Sequence, residues 1–416
     1  MTQALTETTT NKLTAHANVC VVGLGYIGLP TSAVLASRGH AVHGVEINAE
    51  ARDVINSGRA HIVEPDLDML VRAGIESGRL KAHAEPGKAD VFMLCVPTPV
   101  GENNGANLDY VRDATLSICP FLEAGNLVIL ESTSPPGTTE MIAGLVLDNT
   151  EFGPGEIFFA HAPERVLPGR ILEEVVQNDR IIGGIDDAST DVARGFFSTF
   201  VRGSLITCHC RTAEMAKLVE NSSRDVQIAF ANELSMICDD FGVEVREMID
   251  IANRHPRVNI LQPGCGVGGH CIAVDPWFLV HMAGDRAKLI RTAREVNSSK
   301  PSWVVRRIMT AGNRFREPII ACFGATYKQD IDDMRESPAL EIIDTLRNTG
   351  AGKILVVEPN VDLGSDYEMA TIEQAQQEAD IFVFLVGHRE FNKFTPVQLA
   401  EKIVIDVCGV THKTAA

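Results

Sequence analysis

The apolar positions of this chain fall into short runs separated by longer amphipathic stretches. From Asn18 onward the runs "VCVVGLG", "AVHGVEI", "ADVFMLCVP", "NLVILEST" and "EIFFAHAPE" are followed in turn by segments with helical spacing. That alternation predicts a doubly wound parallel sheet extending to about residue 205. The texture then changes. "RTAEMAKLVENSSRDVQIAFANELSMICDDFG" has no proline and no internal glycine, with Thr212 offering an N-cap and Gly242 a terminator. One helix of about 45 Å is expected there, at 1.5 Å per residue. Such a helix exceeds what one small domain needs, so it should join two domains or two subunits. After it the first rhythm returns in "PIIACFGATYK", "KILVVEPNV", "ADIFVFLVGH" and "KIVIDVCGV". The expected fold class is α/β: two Rossmann-like doubly wound parallel-sheet domains joined by a helical central domain with a long helix. The boundaries read as a disordered tail over 1–17, then domains over 18–205, 206–300 and 301–416.

Composition narrows the function. The formal charge of −18 over 416 residues argues against nucleic acid, whose phosphates require a basic face. An anionic ligand then needs cations gathered locally. The ten cysteines form no CxxC pair. Cys208, His209 and Cys210 are adjacent, but neighbours on one strand point to opposite faces, so no metal site is expected from them. The thiols read as reduced and mostly buried. No run approaches ~18 apolar residues, and the polar start "MTQALTETTTNKLTAHA" lacks an apolar core of the signal-peptide kind. A soluble, cytoplasmic protein without membrane partners is expected.

Candidate chemistry begins at Gly23, Gly25 and Gly28, spaced G-x-G-x-x-G between a strand and a helix, with Glu46 ending the next strand. The glycines permit a tight turn and close approach of a pyrophosphate, while the acid holds ribose hydroxyls and repels a 2′-phosphate. NAD is the expected cofactor; the alternative is a merely tight turn. Other strand ends supply Thr98, Thr133, Glu164 and Arg165, as crevice groups or as turn caps and surface charges. On the long helix Lys217, Asn221 and Arg224 share a face, which is either solvated or directed at an anion. The densest signal is "QPGCGVGGHCIAVDPWF", where four glycines precede Cys271 and Asp275 follows. Cysteine is more often inert than catalytic. Beside a hydride acceptor, however, a nucleophilic thiol suits aldehyde oxidation through a hemithioacetal and a thioester.

Together these residues resemble the UDP-glucose/GDP-mannose dehydrogenase family, over roughly residues 18–410. "NRHPRVNILQPGCGVGGHCIAVDPWF", "SRDVQIAFANELS", "VEPDL", "ILESTSPPGTTE", "APERVLPG", "RTAEMAKLVEN" and "DIDDMRESPA" carry the likeness. The resemblance implies an NAD-binding domain over 18–205, a central dimerisation domain with the catalytic cysteine over 206–300, and a UDP-sugar-binding domain over 301–416. It implies a four-electron oxidation of a sugar C6 alcohol to a carboxylate with two NAD, supplying surface polysaccharide synthesis. The substrate implied is UDP-N-acetyl-D-mannosamine, with its C2 epimer as the alternative. A single-step hydroxyacid dehydrogenase, which has no use for Cys271, and a non-enzymatic NAD-binding regulator, which turns over no UDP-sugar, are the other readings. Carried across, Cys271 is the nucleophile. Lys217 handles a proton or the oxyanion with help from Asn221, and Glu164 and Asp275 steer water or protons. Gly23, Gly25, Tyr26, Ile27, Gly28, Glu46, Thr98 and Thr133 match cofactor positions, and Lys328 touches cofactor or substrate. Arg165, Val166, Lys217, Asn221, Arg224, His255, Arg257, Gly268, Tyr327 and Arg335 match substrate contacts, Arg257 reaching across a homodimer. Three departures stand out. Glu46 replaces the usual aspartate, Cys265 a usual proline, and "GATYK" the commoner "GLAFK".

Overall fold

The computed structural model describes residues 2–167 and 169–412. Its contacts divide into two compact units, Met1–Val219 and Glu220–Ala416. In the first, strands β1 (Asn18–Val22), β2 (Ala41–Val45), β3 (Leu80–His83), β4 (Val91–Leu94), β5 (Leu127–Leu130), β6 (Phe158–His161), β7 (Arg180–Gly184) and β8 (Leu205–His209) form one sheet. Their order is β3-β2-β1-β4-β5-β6-β7-β8. Every pairing is parallel except β6 with β7, which run antiparallel with Ala160 opposite Gly184 and His161 opposite Gly183. The strands are apolar at consecutive positions because both faces are covered. Val19, Val21, Met93, Ile129 and Phe158 bury into one layer, and Cys20, Val22, Phe92, Leu94, Val128 and Phe159 into the other.

The expected N-terminal tail is instead a helix, Thr2–Ala15. Leu13 is fully buried and Leu5 packs beside it in the same core layer. Thr9 Oγ1 donates to the Gly125 carbonyl at 3.3 Å, and Lys12 pairs with Asp90 at 2.5 Å. The polar composition concealed two leucines eight positions apart, hence on one helical face. Gly195 admits the helix: a Cβ there would lie 2.8 Å from Thr10 Cγ2.

The long helix spans Cys210–Phe241, two residues earlier than its expected cap, and Gly242 at φ +66° ends it. The boundary between the two units falls within it. Beyond, the second unit holds helices Val245–Ala252, Asp275–Ala283, Lys288–Gly312 and Pro338–Thr349 and a four-stranded parallel sheet. That sheet comprises β9 (Ile319–Phe323), β10 (Lys353–Val357), β11 (Ile381–Phe384) and β12 (Ile403–Asp406), ordered β10-β9-β11-β12. The boundary expected at 300/301 lies inside helix Lys288–Gly312, which accommodates Pro301 in its interior. Phe323, Phe382, Phe384, Phe391 and Phe394 fill one face of this sheet, and Ile320, Cys322, Val356 and Val383 the other. Among the described residues no helix is long and apolar enough to cross a membrane.

Candidate active site

The turn after β1 has the shape a dinucleotide needs. Gly23 has φ +94°, and a Cβ there would sit 2.7 Å from the Cys95 carbonyl oxygen. A Cβ on Gly28 would lie 1.8 Å from the Gly23 oxygen, so neither position admits a side chain. Gly25 faces nothing within 4 Å, leaving its backbone open to a phosphate beside helix Gly28–Ser37. Glu46 accepts from Leu24 N at 3.3 Å and Asn48 N at 2.9 Å, which holds its carboxylate at the ribose edge of the turn. Arg52 lies at the same edge, its Nη1 donating to the carbonyls of Glu46 at 2.7 Å and Ile47 at 2.9 Å. Tyr26 is 45% exposed in the turn. These residues fit NAD, which supplies a hydride acceptor when bound.

At the carboxyl ends of β4 to β6 the structure brings together more than the sequence suggested. Thr98 Oγ1 donates to the Thr133 carbonyl at 2.7 Å, joining the two expected threonines. Below them Arg180 pairs with both Glu131 and Glu164, all three buried. Cys95 Sγ donates to Glu131 at 3.0 Å, and the second oxygen of Glu164 accepts from Arg165 N at 2.6 Å. Arg165 Nη2 donates to the Asp179 carbonyl at 2.5 Å, and Val166 packs on the sheet core. His161 is fully buried, and neither ring nitrogen has a partner among the described residues. Burial first, and the Arg180 charge second, push its pKa down to about 3, so the ring is neutral. Glu131, His161 and Arg180 escaped sequence reasoning. The available signals were an acid preceding "STS" and an arginine opening the apolar strand "RIIGG".

In the second unit the glycine run approaches protein. Gly266 has φ +145° and a Cβ there would meet Pro338 Cβ at 2.9 Å; one on Gly268 would lie 2.4 Å from the Glu336 oxygen. Gly269, at φ +82°, lies against the Tyr327 ring, and its N–H donates to the Arg335 carbonyl at 3.1 Å. The glycines thus seat the segment carrying Tyr327 and Arg335 against the stretch that leads into Cys271. Cys271 is the one exposed cysteine of the ten. Its carbonyl accepts from Val274 N at 3.1 Å and Asp275 N at 2.9 Å, leading into helix Asp275–Ala283. Asn221 Nδ2 donates to the buried Asp275 carboxylate at 2.5 Å. Lys217 lies one turn before Asn221 on the long helix. Cys265, by contrast, is buried, and burial pushes its thiol up to about 12, so it is no second nucleophile.

The expected cations are less gathered. Arg335 is 46% exposed and bonds Asp333 through both Nε and Nη2. Arg224, His255, Arg257 and Lys328 are exposed. His255 Nδ1 accepts from Arg257 N at 3.3 Å.

A glycine-rich nucleotide turn on one doubly wound sheet, a second parallel sheet and an exposed thiol define an NAD-dependent dehydrogenase with a separate substrate domain. The chain belongs to the UDP-glucose/GDP-mannose dehydrogenase family. It matches that family's NAD binding domain over residues 17–201, its central domain over 211–299 and its UDP binding domain over 321–413. It is 53% identical over 404 residues to an NDP-N-acetyl-D-galactosaminuronic acid dehydrogenase of Ralstonia nicotianae, covering 94% of this chain and 96% of that one. To a UDP-N-acetyl-D-mannosamine dehydrogenase of Campylobacter jejuni it is 51% identical over 389 residues, covering 90% and 96%. The solved structure of the UDP-N-acetyl-mannosamine dehydrogenase of Staphylococcus aureus superimposes with a TM-score of 0.86 at 41% identity, covering 95% of this chain and 96% of that one. This chain is therefore a nucleotide-sugar dehydrogenase that uses NAD.

Proposed function

We propose that the enzyme oxidises the C6 alcohol of UDP-N-acetyl-D-mannosamine to the carboxylate in two steps, with Cys271 as the covalent nucleophile. The observation that carries this reading is Cys271 itself, an exposed thiol set one turn before Asp275, whose carboxylate is held by Asn221. Removal of two electrons from the alcohol gives an aldehyde. The Cys271 sulfur adds to its carbonyl carbon, and the proton goes to the new oxygen. Loss of two further electrons from this hemithioacetal leaves a thioester, and water cleaves it to the carboxylate and the free thiol.

Lys217 holds the developing oxyanion or takes the alcohol proton, and Asn221 fixes Asp275 so that the carboxylate can orient water. Glu164 is the other candidate for that water, since Arg180 holds it in place. Arg165, Arg224, Arg257, Lys328 and Arg335 supply the positive charge that a UDP diphosphate requires, with Val166, His255, Gly268 and Tyr327 lining the substrate. Gly23, Gly25, Tyr26, Ile27, Gly28, Glu46, Thr98 and Thr133 hold NAD. The working unit is a homodimer, to which each chain contributes Arg257 at its partner's site. The product feeds assembly of a surface polysaccharide.

The Campylobacter and Staphylococcus relatives support N-acetylmannosamine as the sugar. The name of the Ralstonia relative favours a second reading, UDP-N-acetyl-D-galactosamine. NAD reduction measured across UDP-N-acetylhexosamines tests both. The first reading expects the highest kcat/KM and two NADH per sugar with the mannosamine nucleotide. A higher kcat/KM with the galactosamine nucleotide would install the second reading.

A further inference from the structure

Strand β8 ends at His209 and the long helix begins at Cys210. The alternation of a strand stops between these two residues, so neighbours can present side chains to the same place. Cys210 Sγ lies 3.7 Å from His209 Nδ1. A carboxylate oxygen of Glu140, from helix Thr138–Asn149, joins them, and all three donor atoms lie within 4.8 Å of one another. Ligands on one tetrahedral zinc, at about 2.0 Å for nitrogen and about 2.3 Å for sulfur, are separated by roughly 3.5 Å. The backbone therefore already sets the imidazole and thiol near that spacing. The Arg211 N–H donates to His209 Nδ1 at 3.3 Å, so that nitrogen carries the lone pair, and a cation bound there takes the place of this long hydrogen bond.

The local field is negative. Burial first, then the charges of Glu214 and Glu140, push the Cys210 thiol up, so a cation bound there must displace the thiol proton. Glu214 is engaged by the N–H groups of Gly137 and Thr139 and by the Thr139 hydroxyl. Glu140 faces the Arg211 guanidinium, with Nε 2.7 Å from its carboxylate, on a side chain 64% exposed. An exposed pair of this kind contributes little and can give way.

We propose that Glu140, His209 and Cys210 form a site for a zinc-like divalent cation, with water as the fourth ligand. Binding forms a metal–sulfur bond, releases the thiol proton to solvent and frees Arg211 from Glu140. The bound ion ties the first turn of helix Thr138–Asn149 to the start of the long helix, two turns before Lys217. Cys208, one step back on β8, points to the other face and takes no part. The proposal is independent of the sugar and of the role of Cys271.

Cobalt titration of the full-length protein carrying Cys271→Ser, which removes the exposed thiol, tests it. The expected result is one equivalent of cobalt with a near-ultraviolet sulfur-to-cobalt band, displaced by zinc, and one proton released. Cys210→Ser should abolish the band. His209→Ala and Glu140→Gln should each weaken binding about tenfold or more, and Cys208→Ser should leave it unchanged. No band in the parent, or a band that survives Cys210→Ser, overturns the proposal. His209 is exposed, so His209→Ala retains the fold; undiminished affinity in that variant overturns the proposal as well.

Discussion

Asn221 donates its amide to the Asp275 carboxylate at 2.5 Å, linking the long helix to the helix that follows Cys271. Asp275 is buried, so loss of this charge-assisted donor should cost about 1–3 kcal/mol. Asn221→Ala should lower stability to denaturant by that amount and reduce kcat more than it raises KM. An unchanged kcat would confine the pair to a structural role.

Cys271→Ser should retain UDP-sugar binding by calorimetry while uronate formation falls to background, because a serine without a dedicated base is a poor nucleophile. The unmodified enzyme should release two NADH per sugar. One NADH with a stable aldehyde would remove the thioester.

Glu46→Ala should weaken NAD binding and narrow its preference over NADP. The ribose loses an acceptor, and a 2′-phosphate loses a repulsive neighbour while Arg52 remains at the same edge. Steady-state kinetics with both cofactors checks this. Identical kinetic ratios before and after the substitution would place the ribose elsewhere.

His161 makes stability depend on pH. Its folded pKa of about 3 lies below the usual value of 6.5, so the unfolded chain binds the extra proton between those limits. The stabilisation is complete above pH 6.5 and is lost as pH falls towards 3. From pH 7 to 5 the loss from this group is ~2 kcal/mol. Unfolding measured against pH should show a shallower acid slope in His161→Phe than in the parent.

Met215, Val219, Phe230, Ile237 and Phe241 stay 39–79% exposed along the long helix. Leaving such surface wet costs ~25 cal/mol per Å² of apolar area, so a second copy is expected to cover it. Phe230→Asp should shift sedimentation from dimer to monomer and reduce activity. A fully active monomeric parent would refute both the dimer and the shared Arg257.

The legible parts of this molecule were local ones. Gly23, Gly25, Gly28 and Glu46 lie within one β–α–β segment, so their spacing alone announces the nucleotide turn. All four strands of the second sheet were readable from short apolar runs. The Arg180 cluster was not, because its members come from three strands and meet only through the reversal of β7. Helix Thr2–Ala15 was hidden by threonines whose hydroxyls find backbone partners. The convergence of His209 and Cys210 was missed because strand alternation was carried one residue too far.

The reversal of β7 has an architectural consequence. An all-parallel strand would put Arg180 at the far edge of the sheet. Running against β6, its first residue lies at the edge where β6 ends, and the register continued from Ala160 and Gly184 sets Glu164 across from Arg180. The excursion between these strands, which carries Arg165 and Val166, is therefore closed at its root by a buried ion pair, like a purse drawn at the neck. Its outer part is anchored separately, by Gly169 N and Ile171 N donating to Glu64 at 2.8 and 2.7 Å and by Ile171 and Val175 in the core. Arg165 and Val166, proposed above to meet the substrate, thus sit between two fixed points.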